Sequence, residues 1–517
     1  MNTTDNNAML MVLLFLIPAY AVFIAVKHNW VPDRVYAPII LLTSISLVLL
    51  LGLRSSFIIG VDAHLEYYLF RQTFYNGLWQ IGVMGNPLDA VLSVSILPTI
   101  YHSFLNTDSQ YLFKIFYPIL FSISPVIAYL ISRKYIGNHY AFLASFFFMT
   151  QGMFLMITAH PRTSLAILFF ALAIMTLLLS NLGELNKKLL FIVFAFSCIL
   201  SHYSTAYIFF FILLFTWLGM QIIPRFISLQ RRPTVLSNPS TGGNPSNPTG
   251  QATATAATLE MRQPLLRNLV TFGIVAIFFA LIFFWYSQVT GAAFDAGVRF
   301  VSTTLESLHE FFILEARERG GVPAAFGYGL GYKEIPRQIH FVFSWLTIAF
   351  IAIGVLTTLV RYRRRMVAFR GEGKNLCSDF LSQRIDALFL VLAVVCSAIF
   401  AASVALPFVF VGYGMDRAFM QMIVVLSPFF VIGGIEVARF LRAKQTYLVI
   451  LIVLIPFFMC QTGTMHEIFG VPQSLAMNSE GKSFDMMYVH EEEGYAAKWL
   501  NHHKDQDLKI YSDHSGS

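Results

Sequence analysis

Residues 8–26 read AMLMVLLFLIPAYAVFIAV and residues 37–53 read APIILLTSISLVLLLGL, with no charge in either. Each approaches the roughly 20 apolar residues that cross a bilayer as a helix. Ten more apolar blocks follow, at 112–131, 140–158, 164–180, 188–204, 206–223, 268–287, 342–360, 386–410, 418–437 and 446–462. The pattern predicts an all-α, polytopic membrane protein with about twelve transmembrane helices. Of the 517 residues, 56% are hydrophobic and only 12% charged, against roughly 25% charge in a soluble domain. That excludes a soluble enzyme, a nucleic-acid-binding module and a disordered chain. The formal charge of +7 does not point to nucleic acid, because the positives sit between the apolar blocks.

The lysines and arginines also orient the chain. One set of loops holds Lys27 and Arg34, Arg133 and Lys134, Lys187 and Lys188, Arg225 to Arg267, Arg361 to Arg384, and Arg439 to Lys444. Every connection on that side is basic, so it is read as cytoplasmic. Both termini are then extracytoplasmic, at a cell (plasma) membrane. The expected organisation is a membrane domain over 1–462 and a short external tail over 463–517. Within the domain lie a first external loop (54–111), a cytoplasmic linker (228–262) and an external loop (288–341). The linker is rich in Pro, Gly, Ser, Thr and Asn and is read as disordered. The run RYRRRM at 361–366 is read as an orientation anchor. The first block has no basic leader or small-residue cleavage site, so it is read as a span. Cys198, Cys377, Cys396 and Cys460 are scattered, with neither zinc nor disulfide spacing. No internal repeat is evident, which weighs against inverted-repeat transporters.

The external segments carry the chemistry. GVDAHLEYY (60–68) follows the second span and sets Asp62, His64 and Glu66 at i, i+2 and i+4. In a helix Asp62 and Glu66 share a face; in a strand all three do. A carboxylate at the apolar boundary beside a second acid is expected to hold its proton more tightly, which suits a general base toward a hydroxyl. The bland alternative is a polar turn with Asp62 as a helix N-cap. Residues 89–105 are apolar but interrupted by Asp89, Pro98, Tyr101 and His102, and are expected to lie as a helix at the membrane surface. His160-Pro161-Arg162, Ser201-His202-Tyr203 and Tyr413-Gly414-Met415-Asp416-Arg417 fall in short external turns. Singly, His160, Arg162, His202 and Arg417 read as snorkelling side chains. Together they form a layer suited to an anionic lipid headgroup. The 288–341 loop holds an amphipathic stretch at 299–319 and the string FGYGLGY (326–332), whose Tyr328 and Tyr332 are candidates to stack on a sugar. In the tail, 488–501 reads as a helix and 508–511 as a strand.

The layout of 37–462 resembles the GT-C class of integral-membrane glycosyltransferases, especially its archaeal-type members. The resemblance lies in GVDAHLEYY after a span, the 89–105 segment, HPR (160–162) and SHYST (201–205). It implies a polyprenyl-phosphate-linked (dolichyl-phosphate-type) sugar donor and a glycan, lipid or protein acceptor. It places Asp62 at the catalytic acidic position, with His64 and Glu66 beside it in roles that vary. Two departures are an extra span before the catalytic loop and the lack of a large soluble C-terminal domain, which favour single-sugar over whole-glycan transfer. The expectation is an inverting transferase with catalytic Asp62 and Glu66. His160, Arg162, His202, Tyr203 and Arg417 would face the donor phosphate and lipid, and His64, Tyr328 and Tyr332 the acceptor or sugar. No cofactor is required by the sequence. A divalent metal on Asp62, His64 and Glu66 and a metal-free mechanism both stay open. The alternatives are a cell-envelope glycan polymerase or a lipid-linked oligosaccharide flippase, then a secondary transporter.

Overall fold

The computed structural model describes residues 7–179, 183–229, 270–291, 334–368, 385–405, 413–471, 475–478 and 482–503, with a few positions between 294 and 306. Among the described residues there are helices and no strand. Inside a bilayer every backbone N–H and C=O must pair within the chain, and a helix achieves this segment by segment. α1 (Ala8–Val26) and α2 (Tyr36–Gly52) are the first two rods. α3 (Val61–Asn76) follows in the first loop, then α4 (Ile96–Leu105). Residues 109–123 enter the bundle through a π turn at Leu112–Phe116 and lead into α5 (Ser124–Met149).

α5 is broken at Gly137, where φ is +76°. Its arms fold back on each other, so that Ser145 Oγ donates to the Pro125 carbonyl at 2.7 Å. Next come α6 (Pro161–Leu178), α7 (Glu184–Ser201), α8 (Tyr203–Leu229) and α9 (Phe272–Phe283). The last rods are α10 (Ile335–Ala368), α11 (Ala387–Ala405), α12 (Met415–Phe440) and α13 (Thr446–Gln461). Nine helical stretches among the described residues are long and apolar enough to span. Dividing residues 109–149 at the Gly137 fold, and adding α7 and the shorter α13, gives the twelve rods expected from sequence. The chain is a multi-pass membrane protein.

α12 is the axis of the bundle. Phe429 and Phe430 on it pack against Phe389 of α11 and stack on Phe147 of α5, with ring centroids 5.1 and 4.0 Å apart. On its α10 side Gly433 meets Gly354 backbone to backbone. A Cβ at Gly433 would fall 1.8 Å from the Phe350 carbonyl oxygen, so only glycine permits this approach. α1 is peripheral, with Val12, Leu16 and Phe23 more than half exposed on a surface suited to lipid.

The basic connections gather at one end. His28 stacks on His139 at 4.3 Å, Lys134 Nζ lies 2.8 Å from Asp386, and Arg361 Nη2 lies 2.6 Å from Glu436. The turns carrying Asp62, His160, His202 and Arg417 lie at the other.

Three expectations are corrected. Residues 89–105 are not one surface helix. A 3-10 turn over Pro87–Ala90 opens it and only 96–105 is α-helical, with Ile100, Phe104 and Leu105 exposed. Asp89 is buried and accepts from the backbone N–H groups of Gly82, Met84 and Gly85. The next residues thread into the bundle, where Leu92 N–H donates to the Leu200 carbonyl at 2.9 Å. The span expected over 140–158 stops at Met149 and gives way to short turns, Gly152–Leu155 and Ile157–Ala159. The tail helix runs Glu491–His503, not 488–501. The linker core 233–260, most of the stretch 299–319, Tyr328, Tyr332 and 508–511 lie outside the described residues.

Candidate active site

The site begins with a glycine. Gly60 has φ +91°, a conformation that L side chains rarely adopt, and a Cβ there would sit 2.6 Å from the Ala159 Cβ. Glycine therefore allows the start of α3 to lie directly against the turn before α6. Behind it the loop is anchored. Buried Lys114 donates to the Ser55 carbonyl, and Gly60 N–H donates to the Met487 carbonyl at 3.0 Å. Arg54 lies over the rings of Phe484 and Tyr488 in the tail, at 5.0 and 5.1 Å. Neither Lys114 nor the Arg54–tail contact was among the residues expected from sequence.

Asp62 and Glu66 share the α3 face that looks toward α6. The N-cap of α3 is Gly60 and no side chain caps it, so Asp62 is not the capping residue of the bland alternative. One of its oxygens, Oδ2, meets three cationic or donor groups: Arg417 Nη2 at 2.6 Å, His160 Nδ1 at 3.2 Å and Arg162 Nη2 at 3.4 Å. Its other oxygen, Oδ1, makes no hydrogen bond among the described residues. Glu66 is fully buried. Its Oε2 accepts from the Arg162 backbone N–H at 3.0 Å, and its Oε1 lies 3.2 Å from Arg162 Nη1 without hydrogen-bond geometry.

The two carboxyls are driven apart. Burial works to raise the pKa of Asp62, but the His160 hydrogen bond with Arg162 and Arg417 outweighs it, holding that carboxyl well below the usual range. Burial raises Glu66 to about 8 against the pull of Arg162, with the charge of Asp62 adding to the rise. The tight proton expected on Asp62 thus belongs to its neighbour, because the arginines aim at Asp62 while Glu66 sits deepest.

Arg162 and Arg417 occupy the first turns of α6 and α12. The first turns of α3 and α8 join them, so several helix N-termini face one small volume and favour an anion there. With Glu66 protonated at neutral pH, Asp62 is the charged carboxylate that both guanidiniums contact directly, and Asp416 acts on the cluster from beside Arg417.

His160 and His202 are both held neutral, chiefly by burial. The Thr205 N–H lies 3.3 Å from His202 Nδ1 as a donor, with Thr205 Oγ1 at 2.8 Å. Thr205 Oγ1 in turn lies 2.9 Å from the Tyr413 hydroxyl. This chain fixes Nδ1 as the acceptor and leaves the proton on Nε2. Tyr203 lies against His202 at 5.1 Å. Thr205 and Tyr413 were not named as site residues; their only sequence signal was membership of the two short turns.

His64 does not join the cluster. Its Nδ1–H donates to the Gly60 carbonyl at 3.0 Å. In a helix residues i and i+2 point apart, so Asp62, His64 and Glu66 do not converge as one ligand set. Among the described residues no three His, Cys, Asp or Glu side chains are grouped to hold a metal ion.

A family model described as "Predicted membrane protein (DUF2206)" matches residues 187–517. No curated protein matches. Among solved structures, the chain is similar to "Archaeal oligosaccharyltransferase AglB from Archaeoglobus fulgidus in complex with an inhibitory peptide and a dolichol-phosphate". Identity is 14% and the TM-score 0.49, over 93% of this chain and 59% of that one. The chain thus spans little more than half of that protein, and likeness at this level says nothing of activity.

Proposed function

For a chain that belongs to the DUF2206 family of membrane proteins, we propose the activity of an inverting glycosyltransferase that uses a polyprenyl-phosphate-linked sugar. The observation that carries this reading is the division of labour on Asp62. Oδ2 is held by Arg162, Arg417 and His160, while Oδ1 has no hydrogen-bond partner among the described residues, on a side chain 23% exposed. The arginines supply the charge that a phosphate needs, and Oδ1 supplies an acceptor for a proton.

In the reaction, the acceptor hydroxyl gives its proton to Asp62 Oδ1 as its oxygen bonds to the anomeric carbon. The bond from that carbon to the phosphate oxygen breaks, and its electron pair leaves with the polyprenyl phosphate. Arg162 and Arg417 stabilise the departing charge. As they turn to the phosphate, Asp62 loses part of what holds its proton affinity down, and becomes a better base at the moment one is needed. Placement at a bundle end suits a donor whose headgroup is at the surface and whose tail is in the lipid.

Donor binding is the direct test. Arg162→Ala and Arg417→Ala are each expected to weaken binding of a polyprenyl phosphodiester by at least about tenfold, since each removes a charge-assisted bond. Calorimetric titration of protein in lipid nanodiscs measures it. Unchanged affinity in both variants would reduce the arginines to membrane anchors and remove the reading.

The proposal also places the site, and both termini, on the extracytoplasmic face, with the basic connections in the cytoplasm. In a cysteine-free background, a cysteine replacing Asn244 is expected to resist an impermeant reagent on intact cells, and one replacing Ser512 to react. The reverse pattern would put the site on the wrong face for this donor.

A further inference from the structure

A cavity of about 290 Å³ opens at the same end of the bundle, apart from the Asp62 cluster. Its apolar walls include Leu50, Met156 and Ala476, and its polar groups include His340, Gln461 and His466. Among the described residues no carboxylate, guanidinium or lysine lines it. His466 is only 6% exposed, and neither of its ring nitrogens has a hydrogen-bond partner among the described residues. A buried imidazole needs a partner for its N–H and another for its bare nitrogen, and leaving both unmet is costly. Gln461 is admitted by a glycine, since a Cβ at Gly152 would lie 2.8 Å from its Oε1.

Imidazole and carboxamide each offer a donor and an acceptor, the pairing that hydroxyl groups satisfy. The two charged groups that act on His466, Arg337 and Glu334, are paired with each other at 2.7 Å, so the counter-charge that a charged ligand would need is already engaged. The walls suit the C–H face of a ring. Met156 in the wall precedes His160 by four residues, mostly in a 3-10 turn. At about 2 Å per residue this separates cavity and cluster by roughly 8 Å along the chain.

We propose that this cavity is an acceptor subsite, which takes a neutral, hydroxyl-rich sugar ring through His466 and Gln461. The word acceptor rests on the glycosyltransferase reading; sugar binding rests on the cavity itself.

Methyl and octyl glycosides of neutral hexoses, added to the full chain in lipid nanodiscs and followed by saturation-transfer NMR, test this. Ring protons are expected to saturate with wild type. Binding is expected to weaken about tenfold in His466→Phe and in Gln461→Met, each of which removes hydrogen bonds at similar volume. Ala476→Phe occupies the cavity without removing a polar group and is expected to give the same loss. Retained affinity for a polyprenyl phosphodiester shows that the variants fold. Saturation by methyl glycosides alone assigns a soluble acceptor, and a gain with the octyl chain a glycolipid; either supports the site. No saturation in wild type, or equal binding in all three variants, overturns it. Failure of the phosphodiester titration in wild type, with glycoside binding intact, removes the transferase reading and leaves a sugar site.

Discussion

Asp62→Asn is expected to lower sugar transfer by about 10²–10⁴-fold, the usual contribution of general base catalysis. Donor affinity should hold or rise, because the arginines lose a competing carboxylate. Asparagine keeps the size and one oxygen for Arg417 but cannot take a proton. An aspartate gripped by two arginines is a weak base at rest, which is the strongest argument for Glu66 instead. Glu66, however, is wholly buried and carries its own proton at neutral pH, so it is in no state to accept another. Glu66→Gln should therefore cost less. Transfer of radiolabelled sugar from a polyprenyl-phosphate donor in membranes compares the two. Full activity in Asp62→Asn with the loss confined to Glu66→Gln would make Glu66 the base. Full activity in both would turn the reading toward flipping or transport, which share the arginines but need no base.

Much of the fold was legible because lipid leaves little choice. A block such as 37–53 has no charge to place and can only be a spanning helix, and α2 covers Tyr36–Gly52. The failures came where protein replaces lipid as the environment. Asp89 looked like a polar break in a surface helix; it is buried because three backbone N–H groups turn toward it, a partnership no periodicity reveals. At the site, the residue types and their common layer were legible from the turns at 60–68, 160–162 and 413–417. Which carboxyl keeps a proton was not. That depends on where two arginines, distant in sequence, point their forks. His64 stands apart from Asp62 and Glu66 for a simpler reason, since helical geometry carries i+2 away from i. The His466 cavity had no sequence signal, because its lining is drawn from five separate stretches.

The pKa of Glu66 gives the second large effect, in the pH dependence of donor binding. With a proton on Glu66, Arg162 faces one fewer charged carboxylate; without it, Glu66 and Asp62 both compete with the phosphate for Arg162. A phosphodiester does not titrate in this range, so the change belongs to the protein. The dissociation constant is expected to be flat below about pH 8 and to rise above it by up to about tenfold per pH unit, the limit for one linked proton. Stability moves in a related way. The folded state holds the Glu66 proton from its ordinary value of 4.5 up to about 8. The unfolded chain has released it over that window, so stability falls as pH rises, by at most about 1.4 kcal/mol per unit. Asp62 has the opposite sign. Its contribution is complete above its ordinary value of 3.8 and is lost only as pH falls through its lower folded value, so it is flat across this window. Glu66→Gln removes the titrating proton and should flatten both the binding and the stability difference profiles. Phosphodiester titrations of wild type and Glu66→Gln from about pH 6 to about pH 10, with unfolding followed in parallel, measure this. An alkaline loss of affinity that survives in Glu66→Gln would assign it to another group and leave Glu66 a buried partner of Arg162 with no part in setting the charge of the site.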